Sequence, residues 1–477
     1  MSRGLATGIR RAVGPTLFLG CAFLLTAMLE RSFVIQSDEG YTLNAAWQLW
    51  NGLRMYDDFR LFVGPGSGYA IFAVWKLIGS PSYLAARWLS LGLSFSSTTA
   101  LYLLLRRLGL WGVSLATAVV LWLCVASLYV LLNHNTFSSF AAIWFLLAFV
   151  RAVRLEEGDE RDRTRDHVVL GATAGLVFLF LPIKGSLLAF AAAAFLLAIG
   201  PPKRRFRPVL ALGAGFVAVV APLFLIWRPA TLVRQWLIIP ITGNYLGHTG
   251  ASGGYLLAAI VMVAAMAVIA FWLGDRALKA LTVVQAALFV GMSHNMEASH
   301  FAINSFPAVV FAFFLVHERL VRPRGGVEVS PLPVIAMFAG LFLVWTLATV
   351  PGARYAEVSV LRADLLGGRP KVVVKPRIAE ARAIYAGPFL PGLYYLLGKK
   401  NPFFVSETVV CDDDCQRRLV AQLSQVKPEL AFLDYDMIAH LNYPRTGPVD
   451  VYLRDHYAAC PSHGGIPVRA IAPAWCP

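Results

Sequence analysis

The chain is short of carboxylates. Its 477 residues carry 27 Asp and Glu against 42 Lys and Arg, and residues 59–155 and 167–274 contain no acid at all. Charged residues make up only 14% of the sequence, where soluble chains carry about a quarter. With 58% hydrophobic residues and a mean hydropathy of +0.63, this excludes an ordinary soluble domain and leaves a polytopic membrane protein. A P-loop, a nucleophile-elbow pattern and a G-x-G-x-x-G after a strand are all lacking, so nothing supports a nucleotide-driven reaction. Internal repeats and low-complexity tracts are lacking too.

The formal net charge of +15 does not point to nucleic acid. The basic residues cluster in short loops between apolar runs, which is how a chain is oriented in a bilayer. Cysteines are few and divided. Cys21 and Cys124 lie in apolar runs as small hydrophobes, whereas Cys411, Cys415, Cys460 and Cys476 all fall in the last, more polar part. An even number in one segment predicts disulfides and an oxidising compartment. The C-x-x-x-C spacing of Cys411 and Cys415 has no second matching pair, which weakens a zinc reading. Connectivity stays open. Arg10 and Arg11 precede an apolar run as in a signal peptide, but no small-x-small site follows, so the run is read as an uncleaved first helix.

Each membrane crossing needs about 20 apolar residues, and Lys and Arg mark the cytoplasmic side. With the N-terminus inside, the first span is 15–35. It delivers a first outer loop, 36–82, that holds juxtamembrane helices. Residues 41–52 read as an interfacial helix anchored by aromatics. Residues 61–79 are read as a second interfacial helix, because a span there would put every later basic loop outside. The remaining spans are 83–105, 111–131, 136–153, 168–181, 185–200, 208–227, 255–273, 278–292, 300–316 and 331–348, about eleven in all. Residues 1–350 thus form an all-α transmembrane domain. Residues 351–477 form a small extracytoplasmic α/β domain, in which 382–386, 402–405, 430–434 and 449–453 read as strands and 391–397 and 412–426 as helices.

Against this scarcity of acid, Asp38-Glu39 and Asp57-Asp58 stand within one short outer loop. Acids beside lipid are costly and mark function. One carboxylate there can serve as general base on a hydroxyl, with its neighbour positioning an acceptor. The plainer reading is a helix cap and a polar turn. Lys184, between spans 168–181 and 185–200, can face a lipid phosphate as a point charge or snorkel to headgroups. Arg87 stands similarly, with Arg228 and Arg234 weaker candidates in an outer loop. His294, Glu297 and His300 at i, i+3, i+6 suit a metal, substrate hydrogen bonding or simple loop polarity. Substrate hydrogen bonding by His300 is the expectation carried forward, with no metal site.

Asp38-Glu39-Gly40-Tyr41, Tyr56-Asp57-Asp58-Phe59, Leu84-Ala85-Ala86-Arg87 and Lys184-Gly185, in this order, resemble the GT-C glycosyltransferases, most nearly the protein O-mannosyltransferases and lipid A aminoarabinose transferases. The resemblance covers roughly residues 10–320. Val63-Gly64-Pro65-Gly66 stands where the family often has His-Pro-Pro or Lys-Pro-Pro. The resemblance implies an integral membrane enzyme of the bacterial inner membrane. It would take a sugar from a polyprenyl-phosphate carrier and pass it, with inversion, to an extracytoplasmic hydroxyl of a glycan, lipid or protein. It further implies Asp38 as the catalytic base and Lys184 and Arg87 toward the carrier phosphate; the residues themselves add Glu39, Tyr41, Asp57, Asp58 and His300 as candidates toward substrate and Arg228 toward the phosphate. Membrane lipid and the lipid-linked donor are the implied partners, and a divalent metal is not required. A transporter or flippase for a lipid-linked sugar is the alternative.

Overall fold

A computed structural model describes residues 38–108, 132–154, 160–200, 205–238, 253–293, 298–316, 374–405, 407–408, 411–435, 443 and 445–477. The expected spans 15–35, 111–131 and 331–348 lie outside these residues. Helix α1 (Asp38–Trp50) opens the described chain. It begins three residues before the expected interfacial helix and takes the acid pair into its first turn, where the helix dipole favours negative charge. Helix α2 (Gly66–Ile78) has 13 residues. At 1.5 Å per residue it is about 20 Å long, short of the roughly 30 Å hydrocarbon core.

Then come α3 (Tyr83–Arg107), α4 (His134–Arg154), α5 (Glu160–Phe180), α6 (Pro182–Ile199) and α7 (Phe206–Ile226). Helix α8 (Pro229–Val233) runs into a π-helical turn, Arg234–Ile238. Helices α9 (Gly253–Leu273), α10 (Arg276–Met292), α11 (Ala298–Asn304) and α12 (Phe306–Val316) follow in the described membrane part. Among the described residues, α3, α4, α6, α7 and α9 are long and apolar enough to cross a bilayer.

Local chemistry sets several ends. Ser82 Oγ caps α3 by accepting from the Ala85 amide at 3.2 Å. Asp275 Oδ1 caps α10 by accepting from Leu278 at 3.0 Å. The expected span 300–316 is instead two helices broken at Ser305. Pro307 explains the break, since it lacks the amide hydrogen that would continue α11. Helices α5 and α7 meet through glycines. A Cβ on Gly171 would come within 1.8 Å of Leu212 O, and one on Gly215 within 2.0 Å of Val168 O, the close backbone approach that small residues permit.

Loops expected on the cytoplasmic face meet one another. Arg151 pairs with Asp166 at 2.7 Å and Arg154 with Asp275 at 3.6 Å, while Arg154 also donates to the Arg107 carbonyl.

The C-terminal residues build a four-stranded mixed sheet in the order β1-β2-β4-β3. In chain order its elements are α13 (Pro376–Glu380), β1 (Ile384–Gly387), α14 (Gly392–Leu397), α15 (Asp413–Val426), β2 (Leu430–Leu433), α16 (Pro448–His456), β3 (Ala458–His463) and β4 (Ile466–Ala470). Strands β1 and β2 are parallel, and the other pairs are antiparallel. Gly464 and Gly465, both at positive φ, make the two-residue turn between β3 and β4, the hairpin geometry that glycine favours.

Two expectations fail here. Residues 402–405 form no strand. Residues 449–453 lie in α16, because Pro448 starts a helix and Val449 and Leu453, one turn apart, both face the core. Cys411 bonds Cys415 and Cys460 bonds Cys476. The sheet unit is tied to the membrane part. The Tyr395 hydroxyl donates to Pro81 O at 2.8 Å and its ring stacks on Trp75. Trp47 Nε1 donates to Lys399 O at 2.8 Å, and the Arg60 amide to Phe404 O at 2.7 Å.

Candidate active site

The most unusual side chain in the membrane part is Lys184. It stands in the first turn of α6, which follows α5 after the single residue Leu181 and carries Pro182 at its start. Gly185 lets this turn press against α5, since a Cβ there would meet the Phe178 amide nitrogen at 2.3 Å. Lys184 is only 1% exposed. Its ammonium donates to Ser139 Oγ at 2.8 Å and to Ser138 Oγ at 3.3 Å. Among the described residues no carboxylate forms an ion pair with it.

Both hydroxyls belong to the first turns of α4, which is polar there and buried throughout: Asn135, Thr136, Ser138 and Ser139 lie inside. The Asn135 amide Nδ2 lies 3.2 Å from His300 Nε2 of α11. His300 is buried as well, and its carbonyl accepts from Asn304 at 2.7 Å. One ammonium and the amino ends of two long helices therefore converge. Each is a source of positive potential, and a cation at a helix N-terminus is itself disfavoured.

The start of α1 lies against the same end of α4, where the Tyr41 ring meets His134. Asp38 occupies the first helical position; its side chain lies outside the described set. Glu39 is fully buried. Its Oε1 accepts from Arg87 Nε at 3.0 Å and from the Tyr83 hydroxyl at 2.7 Å, and its Oε2 accepts from Arg87 Nη2 at 3.2 Å. The structure thus brings Glu39 and Arg87 onto each other, in a bidentate pair that fixes the first turn of α1 to α3. Tyr41, also buried, accepts from the Phe62 amide at 3.1 Å, and its ring packs edge-on to His134 and flat on Phe389. Burial, then the nearby charge of Glu407, pushes its hydroxyl well above the usual tyrosine range.

The second acid pair is elsewhere. Asp57 and Asp58 lie exposed in a turn closed by Arg54, at 3.6 and 3.9 Å, and Asp58 Oδ2 accepts from the Arg54 amide at 2.7 Å. Arg228 is exposed at the head of α8. His294 and Glu297 lie outside the described residues. Among the described residues no group of three or more His, Cys, Asp or Glu is placed to hold a metal.

Two kinds of residue escaped sequence reasoning. Asn135, Ser138 and Ser139 were legible as an oddity, polar positions at the head of an otherwise apolar span, but nothing in sequence joined them to Lys184. Glu407, fully buried, had no signal. It reaches Tyr41 only because residues 389 and 407 bridge and Phe389 lies on Tyr41.

No protein-family model matches the chain, and no curated protein matches it significantly. Solved structures do. ArnT from Cupriavidus metallidurans bound to undecaprenyl phosphate is 14% identical, with 97% of this chain and 98% of that chain covered and a TM-score of 0.62. Its apo state gives 13%, 99% and 99%, and 0.63. The archaeal oligosaccharyltransferase AglB from Archaeoglobus fulgidus, in complex with an inhibitory peptide and a dolichol-phosphate, is 12% identical. It covers 98% of this chain and 75% of that chain at a TM-score of 0.52. The fold of this chain is the GT-C fold those membrane glycosyltransferases share.

Proposed function

We propose that the chain is an integral membrane glycosyltransferase that moves a sugar from a polyprenyl-phosphate carrier to an extracytoplasmic acceptor hydroxyl, with inversion. The observation that carries this reading is Lys184, a buried ammonium at the amino ends of α4 and α6 whose partners among the described residues are two hydroxyls. A dry site with that much positive potential is complementary to an anion. The carrier phosphate supplies one, and the likeness to an ArnT structure holding undecaprenyl phosphate supports that choice.

In the proposed reaction the acceptor hydroxyl attacks the anomeric carbon and gives its proton to Asp38. The bond from that carbon to the phosphate oxygen breaks, and the electron pair stays on the phosphate. Lys184 stabilises the charge developing there. The Glu39–Arg87 pair holds the first turn of α1, and so Asp38, in place; both act as positioning residues. His300 with Asn135, and Tyr41 with its neighbours, orient donor or acceptor. No metal is required by this reading. Residues 1–350 are assigned to the membrane-embedded catalytic domain and 351–477 to an extracytoplasmic domain. The two disulfides support a location outside the cytoplasm, with the chain in a bacterial inner membrane.

The test is Asp38→Asn and Lys184→Met in the purified chain. Asp38→Asn is expected to abolish transfer from an undecaprenyl-phosphate sugar while leaving undecaprenyl phosphate bound. Lys184→Met is expected to lose the binding itself. Full transfer by the Asp38 variant refutes the assignment of the base.

A further inference from the structure

The first loop, the turn after α8 and helix α15 enclose a cavity of about 630 Å³, within the 300–1,000 Å³ of small-molecule sites. We infer that this cleft binds an acidic sugar unit of the acceptor, one bearing a carboxylate or a phosphate. The inference rests on the transferase reading above and names the class of its acceptor.

Three arginines from three separate elements line the cleft: Arg60, Arg234 and Arg418. Arginine is the side chain suited to planar, bidentate capture of such anions. The acids of the same lining are engaged. Asp57 faces Arg54 at 3.6 Å, Asp414 is bonded by Arg417, and Asp412 Oδ1 caps α15 by accepting from Cys415 at 2.8 Å. Arg418 adds only a weaker pull on Asp414 than Arg417 does. Among the described residues neither Arg234 nor Arg418 makes an ion pair. Gln235, beside Arg234 in the lining, is 6% exposed, and its Oε1 has no hydrogen-bond partner among the described residues. A buried amide oxygen left unmet is costly, and a sugar hydroxyl donates to such a group.

The walls are already built. The Tyr56 hydroxyl donates to Val63 O at 3.0 Å and accepts from Trp236 Nε1 at 2.8 Å. Arg60 is tied through its amide to Phe404 O at 2.7 Å, and its Nη1 lies 3.6 Å from Cys415 Sγ in the Cys411–Cys415 disulfide. Hydrocarbon side chains are a minority of the lining, which suits a saccharide rather than an acyl chain. The cleft is also joined to the transfer site: two residues beyond Arg60, the Phe62 amide bonds the Tyr41 hydroxyl. A sugar held by its charge in the cleft leaves the next hydroxyl of the acceptor free to reach Asp38.

The test uses the full chain in detergent and saturation-transfer NMR with four probes: glucuronate, glucose 6-phosphate, glucose and inorganic phosphate. The two charged sugars are expected to bind about tenfold tighter than glucose and tighter than inorganic phosphate, the worth of one good charge-assisted contact. The double variant Arg234→Gln, Arg418→Gln is expected to erase that preference. Arg454→Gln, exposed on α16 beside Asp455 and outside the lining, should keep it. Equal binding of glucose and the charged sugars, a preference that survives the double variant, or phosphate binding as tightly as the sugars would each overturn the inference. Lys184→Met separates the two readings: the charged-sugar preference should survive it while undecaprenyl phosphate binding is lost. A native chain that prefers charged sugars yet binds no undecaprenyl phosphate refutes the transferase reading and leaves the cleft standing.

Discussion

Replacing Lys184 by Met tests whether the buried ammonium serves the fold or a ligand. Moving an ammonium out of water costs several kcal/mol even after the protein relaxes. Lys184 recovers part of this through hydrogen bonds to Ser138 and Ser139; bonds to a charged partner return about 1.5–3 kcal/mol each. The two terms nearly cancel, so the net contribution of the ammonium to the fold is close to break-even. Methionine fills a similar volume and removes both. Ser138 still donates to Asn135 O at 2.8 Å, so that hydroxyl is not orphaned. The expected stability change is therefore within about 2 kcal/mol in either direction, the range seen when buried charges yield to apolar groups. Function should respond far more. Losing one preorganised group aimed at developing charge costs about 2.7–4 kcal/mol, or 10²–10³ in rate. Thermal unfolding followed by tryptophan fluorescence reads the first quantity, and native mass spectrometry with undecaprenyl phosphate, followed by transfer rates, reads the second. A variant that unfolds far more easily yet keeps the lipid and its turnover would show that Lys184 is structural, and the site argument would fail.

Three further outcomes follow from the same geometry. Glu39→Gln and Arg87→Met each break a buried pair and should each cost about 3–5 kcal/mol by leaving a charge uncompensated; the double variant should recover much of that loss, as a double-mutant cycle on thermal unfolding would reveal. Gly185→Ala puts a Cβ within 2.3 Å of the Phe178 backbone, so it should destabilise the α5–α6 pair by a few kcal/mol and lower undecaprenyl phosphate binding by moving Lys184. His463 is held below the usual histidine range by burial and then by Lys375. The unfolded chain therefore binds its proton first, and stability should fall as pH drops below about 6.5; His463→Gln should flatten that slope in pH-dependent unfolding.

Much of the membrane part was legible because one rule governs it. Backbone groups in lipid must be satisfied within a helix, so apolar length alone located α3, α4, α6, α7 and α9 to within a few residues. The break at Ser305 needed weight on Pro307. The C-terminal sheet was harder, because its segments are short and the two periods compete. Val449, Val451 and Leu453 alternate like a strand, while Val449 and Leu453 also stand one helical turn apart, and Pro448 with the core decided for helix. At the candidate site, the scarcity of acid singled out one loop but could not distribute roles within it. Glu39 and Asp58 look alike in sequence. One is sealed against Arg87 and the other lies on the surface with Arg54, and only packing separates them.

The same packing bears on the rival idea of a transporter. Carrying a sugar across the bilayer requires polar groups along the route and an opening at each end. Helix α4 is polar up to Ser139 and charged again only from Arg151. From Phe140 to Val150 it is apolar and mostly buried, about 15 Å of its length, with Phe145 packed on Phe149 and Phe149 on Phe195. Gln285 of α10 is a polar exception nearby, and both ends of its amide are engaged, one with Asn304 O and the other with the Ala308 amide, patching the break between α11 and α12. At the far end Arg154 ties Arg107 and Asp275 together. Among the described residues, a cluster of ammonium, hydroxyls and imidazole at one end of α4, followed by this dry and interlocked stretch, suits chemistry performed at one face. Along α4 a sugar entering from that face would meet phenylalanine.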